Sequence, residues 1–215
     1  MKKTKFLLLL AFVLPLVFWT NTANAQEAED ETIEVTIGAI PTTVAEFDEL
    51  QAELGTTPEG CIALQLVAMQ MYQNDPKVGK ICLKKNNTST NLPSIERRLP
   101  EIFRKHDTYA RMHLVATYLN GATVENGFNP DFPYTITVRK TPNKEDSKSQ
   151  SLKGYVKYYQ VYSEGYDTHW RGIEVVKQKG DTYYRVSNCP SVYVQCKEVD
   201  WEAEDEYQGL RTTED

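Results

Sequence analysis

The chain has 215 residues, 40% of them apolar and 25% charged, with 11 Gly, 10 Pro and a formal charge of −6. Those proportions suit a globular protein and exclude collagen-like, low-complexity and multi-span membrane classes. Net negative charge also argues against nucleic acid as a partner, because acidic surface repels the phosphate backbone.

The first 25 residues read as an export signal. Met1, Lys2, Lys3 and Lys5 form a basic start, Phe6 to Trp19 an apolar stretch, and Ala23-Asn24-Ala25 a small-x-small cleavage site. The apolar stretch is short for a bilayer span, and no later run approaches the roughly 20 apolar residues that a span needs. No Cys precedes Cys61, so a lipid anchor on the mature N-terminus is not expected. The expected destination is the periplasm or the exterior. There the mature chain starts at Gln26 and spans no membrane. Acids gather at its ends, in residues 26–34 and again in 198–215, leaving a near-neutral body over 35–197. Such ends read as solvated tails. The stretch Glu202-Ala203-Glu204-Asp205-Glu206 lacks the alternating ligands and Gly of a calcium loop.

Residues 32–40 alternate loosely and predict an edge strand. Thr43 and Glu46 form a capping box for a helix that runs to Leu54 and stops at Gly55 in a left-handed cap. Thr57 followed by Pro58 starts a second helix, apolar on most sides through Ile62, Leu64, Leu66, Val67, Met69 and Met71, hence buried. Asp75 and Pro76 repeat the signal for a third helix ending near Lys85. A polar loop over 86–91 precedes two helical segments, 93–99 and 107–120, split at Pro100. After Gly127 the pattern turns to strands at 134–138, 155–162, 170–178, 182–187 and 192–197, with a hairpin at Gly180 and Asp181. Helices followed by strands predict one α+β domain, the N-terminal helices packed on a C-terminal antiparallel meander of about five strands.

Four stretches together resemble a family of exported bacterial proteins that carries only a domain-of-unknown-function label. They are Thr57-Pro58-Glu59-Gly60, then Asp75-Pro76 with Gly79, then Gly121-Ala122-Thr123-Val124-Glu125-Asn126-Gly127-Phe128, and Pro133-Tyr134-Thr135-Ile136-Thr137-Val138. The resemblance covers roughly residues 44–197. It implies a single domain, bacterial export and no catalytic residues to carry over. Cys61 stands where the family pattern has a small apolar residue, and the C-terminal half is richer in Tyr.

Ten of the thirteen tyrosines lie at or after Tyr134. In a strand, Tyr158 and Tyr162 share one side and Tyr155 and Tyr159 the other. With Trp170 these rings are the expected ligand-binding face, for a glycan or another exported protein, in a non-catalytic binding module. A carbohydrate-binding domain is one alternative. A thiol hydrolase is the other, with Cys61 near a helix start as nucleophile and His113 or His169 as base. The spacing of Cys189 and Cys196 suggests a disulfide closing a small loop. His106 and His113 lie two turns apart on one predicted face, too far to share an ion. No metal or other cofactor is expected.

Overall fold

The computed structural model describes residues 31–104, 111–194, 196–198 and 209–213. The export segment, the acids over 26–30, His106 and the Glu202 to Glu206 stretch lie outside the described residues. Among the described residues six strands make one antiparallel sheet: β1 (Thr32–Gly38), β2 (Tyr134–Lys140), β3 (Ser147–Ser149), β4 (Gly154–Tyr162), β5 (Trp170–Gln178) and β6 (Arg185–Asn188). The order across the sheet is β1-β2-β4-β5-β6, with β3 pairing β4 beyond the end of β2. Four helices, α1 (Val44–Leu54), α2 (Pro58–Asn74), α3 (Pro76–Asn86) and α4 (Leu92–Ile102), come between β1 and β2 in the chain. The expected α+β layering is present, with α2 lying on β1, β5 and β6.

Local chemistry explains the helix starts. Thr43 accepts the Glu46 amide while Glu46 reaches back to the Thr43 amide, completing the capping box. Thr57 and Asp75 cap α2 and α3 with Pro at the next position. Within α2, 13 of 17 residues are buried, so the helix has no solvent face. Its neighbours approach closely enough to require glycine. A methyl group on Gly60 would strike the Leu54 carbonyl of α1, and one on Gly79 would strike the Tyr72 backbone. These close approaches account physically for the glycines in the first two motif stretches.

Several expected boundaries change. Gly55 ends α1 in a right-handed conformation, not the left-handed cap. Pro100 does not split the fourth helix; it sits inside α4, near its C-terminal end. In place of a helix through Asn120, residues 112–118 form turns and a short 3-10 segment, Ala116–Tyr118. Part of the expected span lies outside the described residues. The short strand β3 falls inside an expected loop. Residues 192–194 form no strand, because a turn at Cys189 carries Val192 and Tyr193 into the core, where Tyr118 donates to the Val192 carbonyl at 2.8 Å. Residues 209–213, expected in a solvated tail, pack back onto the body. Leu210 is buried, and the Arg211 amide donates to the Tyr134 hydroxyl at 2.8 Å. No helix among the described residues is long and apolar enough to cross a membrane.

Gly79→Ala is expected to destabilise the fold by about 1–3 kcal/mol, the usual range for forcing volume into a packed contact. Urea unfolding measures it. Gly172→Ala is the control, expected within about 0.5 kcal/mol of the parent, since the nearest atom to the added methyl is Ser191 Oγ at 3.9 Å.

Candidate functional site

The register of β4 and β5 runs unbroken from Gly154 opposite Gln178 to Tyr162 opposite Trp170. Residues directly opposite share a face, so Tyr159 and Val161 join Ile173 on the helix side. Tyr158, Gln160 and Tyr162 join Glu174, Gly172 and Trp170 on the other. The expected five-residue aromatic face therefore divides. Tyr158, Tyr162 and Trp170 lie together on the side away from α2. Tyr159 is only 3% exposed and belongs to the core, where burial and then its bond to Glu59 push its phenol up. Tyr155 is 59% exposed, at the far end of β4.

At the Tyr162 end, three rings meet. Tyr162 stacks on His169 with centroids 5.1 Å apart and meets Trp170 edge-on at 5.3 Å. The Arg139 guanidinium lies 4.1 Å from the Trp170 ring centre and donates to Gln160 Oε1 at 2.9 Å. The Tyr162 hydroxyl donates to Glu164 Oε1 at 2.5 Å, while Glu164 Oε2 lies 3.5 Å from His169 Nδ1. Burial, followed by the Glu164 bond and charge, pushes the Tyr162 phenol up to about 12. Tyr162, Trp170 and Glu164 border a cleft of about 420 Å³ whose lining also includes Asn120, Thr123 and Thr137.

The opposite wall is the loop that holds the third motif stretch. Asn126 organises it: its Oδ1 accepts the amides of Thr123 and Asn129, and its Nδ2 donates to the carbonyls of Gly121 and Asn129. Gly121 takes φ 82° with Asp131 packed where a side chain would stand. Asn120 is fixed on the sheet, accepting from Thr137 Oγ1 at 3.0 Å and donating to Thr135 Oγ1 and Glu34 Oε2. From the cleft, the surface continues over Gly172 to a smaller hollow of about 230 Å³ beside Tyr158, Gln160 and Glu174. There Lys144 covers the Tyr158 ring at 3.7 Å.

Sequence reasoning located Tyr158, Tyr162 and Trp170 but missed Glu164, Asn120, Thr123, Thr137 and Arg139. One available signal was Gly172, an isolated glycine within a strand, which leaves the sheet face open to a ligand.

The thiols have a different setting from the expected one. Cys61 is fully buried, its Sγ donates to Asn86 Oδ1 at 3.6 Å, and burial pushes its thiol up, opposite to an activated nucleophile. Among the described residues no imidazole lies within hydrogen-bond reach of it. His169 is with Tyr162. His113 stacks on Phe128 at 5.0 Å and lies 3.6 Å from Cys196 Sγ and 3.1 Å from the Lys197 carbonyl. The bridge suggested for Cys189 and Cys196 is not formed, and all four cysteines are buried thiols. The intervening turn gives the two separate neighbours, Asn91 donating to Cys189 at 3.4 Å and His113 meeting Cys196. Burial pushes the Cys189 thiol up to about 12. No group of three metal-ligating side chains occurs among the described residues.

A family model described as Domain of unknown function (DUF6935) matches residues 39–200, most of the chain, and the chain belongs to that family. No curated protein and no solved structure matches it.

Burial, and to a lesser extent the Arg111 charge, hold the His113 pKa below its ordinary 6.5. The unfolded chain therefore takes up this proton first as pH falls, so the stability it contributes is present above pH 6.5 and lost below it. Urea midpoints measured from about pH 7 to about pH 5 should fall, and His113→Gln should flatten that slope.

Proposed function

Membership of this family assigns no chemistry, and from the geometry of the sheet we propose that the protein is an exported, non-catalytic binding module that takes a saccharide in the Tyr162 and Trp170 cleft. The observation that carries this reading is the pair of rings set edge to face at 5.3 Å beside polar groups that are already oriented. A pyranose ring presents a face of C–H bonds that an aromatic ring can cover, and a rim of hydroxyls that needs directed partners. Glu164 supplies acceptors, and Asn120, Thr123 and Thr137 stand across the cleft. Gly172 leaves the adjoining sheet bare, so a second sugar unit has room toward Tyr158.

Recognition rather than hydrolysis fits the cleft lining, which includes a single carboxylate, Glu164. Glycoside hydrolysis ordinarily uses two carboxyl groups flanking the bond. Export fits the basic start, the apolar stretch and the Ala23-Asn24-Ala25 site.

Two measurements test the reading. Intact mass of the protein recovered from a bacterial host should place the N-terminus at Gln26; a chain still beginning at Met1 would remove the export half. A glycan array followed by calorimetry should give a saccharide ligand whose affinity falls about tenfold or more, or about 1.4 kcal/mol, in Trp170→Ala. Gly172→Leu should weaken it comparably while leaving the unfolding midpoint near that of the parent. Undiminished affinity in both variants would place the ligand elsewhere.

A further inference from the structure

A second groove opens at the other end of β4, about 23 Å along the strand from Tyr162 at roughly 3.3 Å per residue. Its volume is about 790 Å³, and Lys148, Lys153, Lys157, Lys177 and Lys179 all contribute to its lining. Pairing of β3 with β4 and of β4 with β5 sets Lys148 and Lys177 on either side of Tyr155 in one cross-strand row. Two strand spacings, about 9.5 Å, separate the backbones of those lysines. Lys157 and Lys177 both approach the Tyr184 ring, at 5.7 and 5.6 Å.

The charges in this groove are not balanced from within. Of its two carboxylates, Asp181 pairs with Arg185 at 3.2 Å and Asp146 stands 3.9 Å from Lys157. Among the described residues, Lys148, Lys153, Lys177 and Lys179 form no ion pair, whereas Lys85, Lys144 and Lys197 elsewhere each have one. The chain carries 30 acidic residues and a net charge of −6, yet four lysines gathered around one groove form no ion pair among the described residues. Like charges brought together on a sheet face are unfavourable unless a counter-charge arrives.

We propose that this groove is a second binding site, separate from the Tyr162 cleft, and that its ligand is a short acidic oligosaccharide. The lining cations are all lysines, compact point charges on flexible stems that suit carboxylates or sulfates spread along a chain. Clamping a single carboxylate or phosphate bidentately would call for the planar fork of arginine, which is not among the residues lining this groove. Tyr155 adds a largely exposed ring between two cations, so a sugar face and its acidic groups meet complementary surface together. The overall negative charge opposes long polyanions such as nucleic acid. A short chain stays within the groove.

The test is calorimetry on the mature chain with a short oligogalacturonate and its fully methyl-esterified, neutral twin. Single-stranded DNA and anionic phospholipid vesicles are run alongside. Expected are saturable binding of the acid, weakening with added salt, and no binding of the ester. Lys148→Gln with Lys177→Gln should weaken binding about tenfold or more, Tyr155→Ala should weaken it too, and Lys148→Arg with Lys177→Arg should retain it. All these side chains are exposed, and an unchanged unfolding midpoint confirms that the variants fold. Trp170→Ala should leave this binding untouched, which separates failure here from failure of the cleft reading. Four results overturn the proposal: no saturable binding at low salt, equal binding of the ester, undiminished affinity in the double Gln variant, or tighter binding of DNA or vesicles than of the acid.

Discussion

A helix buried on every side has only protein partners for its polar side chains, and α2 carries Gln65 and Gln70 at zero exposure, with Gln65 Nε2 and Gln70 Oε1 making no hydrogen bond among the described residues. Gln65 Oε1 accepts from Asn86 Nδ2 at 3.3 Å and from Asn87 Nδ2 at 2.7 Å. Asn86 also donates to the Cys61 carbonyl, and Asn87 to the Leu83 carbonyl. Asn91 donates to Asn87 Oδ1 at 2.8 Å and reaches Cys189. The Thr88 amide donates to the Val186 carbonyl on β6. This chain of amides ties α2, the end of α3, the start of α4 and the last strand into one arrangement. An unmade bond here would leave a buried amide without water, at a cost of about 1–3 kcal/mol. The network therefore specifies how the helices sit as much as it stabilises them.

With α2 held in that position, one side of the sheet is committed to the core. Ile136, Val138, Val161, Ile173 and Val175 alternate inward beneath the helices. Their strand neighbours must then face the other way, away from α2. Tyr162 and Trp170 are thus on the open side because Val161 and Ile173 are on the closed one. The Asn126-centred loop supplies the missing wall of the cleft, and it is stapled to the sheet through Asn120, Thr135 and Thr137. The second groove has a different origin. Its row of Lys148, Tyr155 and Lys177 lies on the helix side of the sheet, yet Tyr155 and Lys177 are exposed.

Much of the fold was legible because its signals are local. Thr43 with Glu46, Thr57 with Pro58 and Asp75 with Pro76 each satisfy orphan amides within a turn, so three helix starts follow from neighbouring residues. Alternation in 155–162 and 170–178 likewise gave the two longest strands. The failures depend on distant partners. Residues 112–118 have helical spacing, but the chain there is bound by remote contacts: Gln73 donates to the Met112 carbonyl, and Thr117 bonds to Ser163. Val192 and Tyr193 look like strand residues, yet Tyr118 and Ser94 draw them inward as a turn. Tyr159 has the same composition signal as Tyr158, and only the registry with Ile173 buries it.

The charge pattern shows the same limit most clearly. Arg97, Arg98, Arg104, Lys105 and Arg111 are the densest basic run in the sequence, but in the fold Arg98 and Arg111 have separate local uses. Arg98 pairs with Glu101 at 2.8 Å, and Arg111 is buried and holds Glu198 at 2.6 Å. Lys148, Lys153, Lys157, Lys177 and Lys179 are scattered over β3, its turn, β4 and the end of β5, where each looks like an ordinary surface lysine. Antiparallel pairing folds those segments side by side and turns scattered charges into one groove. Charge density along a chain therefore measures the field only where the fold keeps sequence neighbours together, as in a helix. In a meander the field is set by the register, and register is a property of the core residues Val161, Ile173 and Val175, which carry no charge at all.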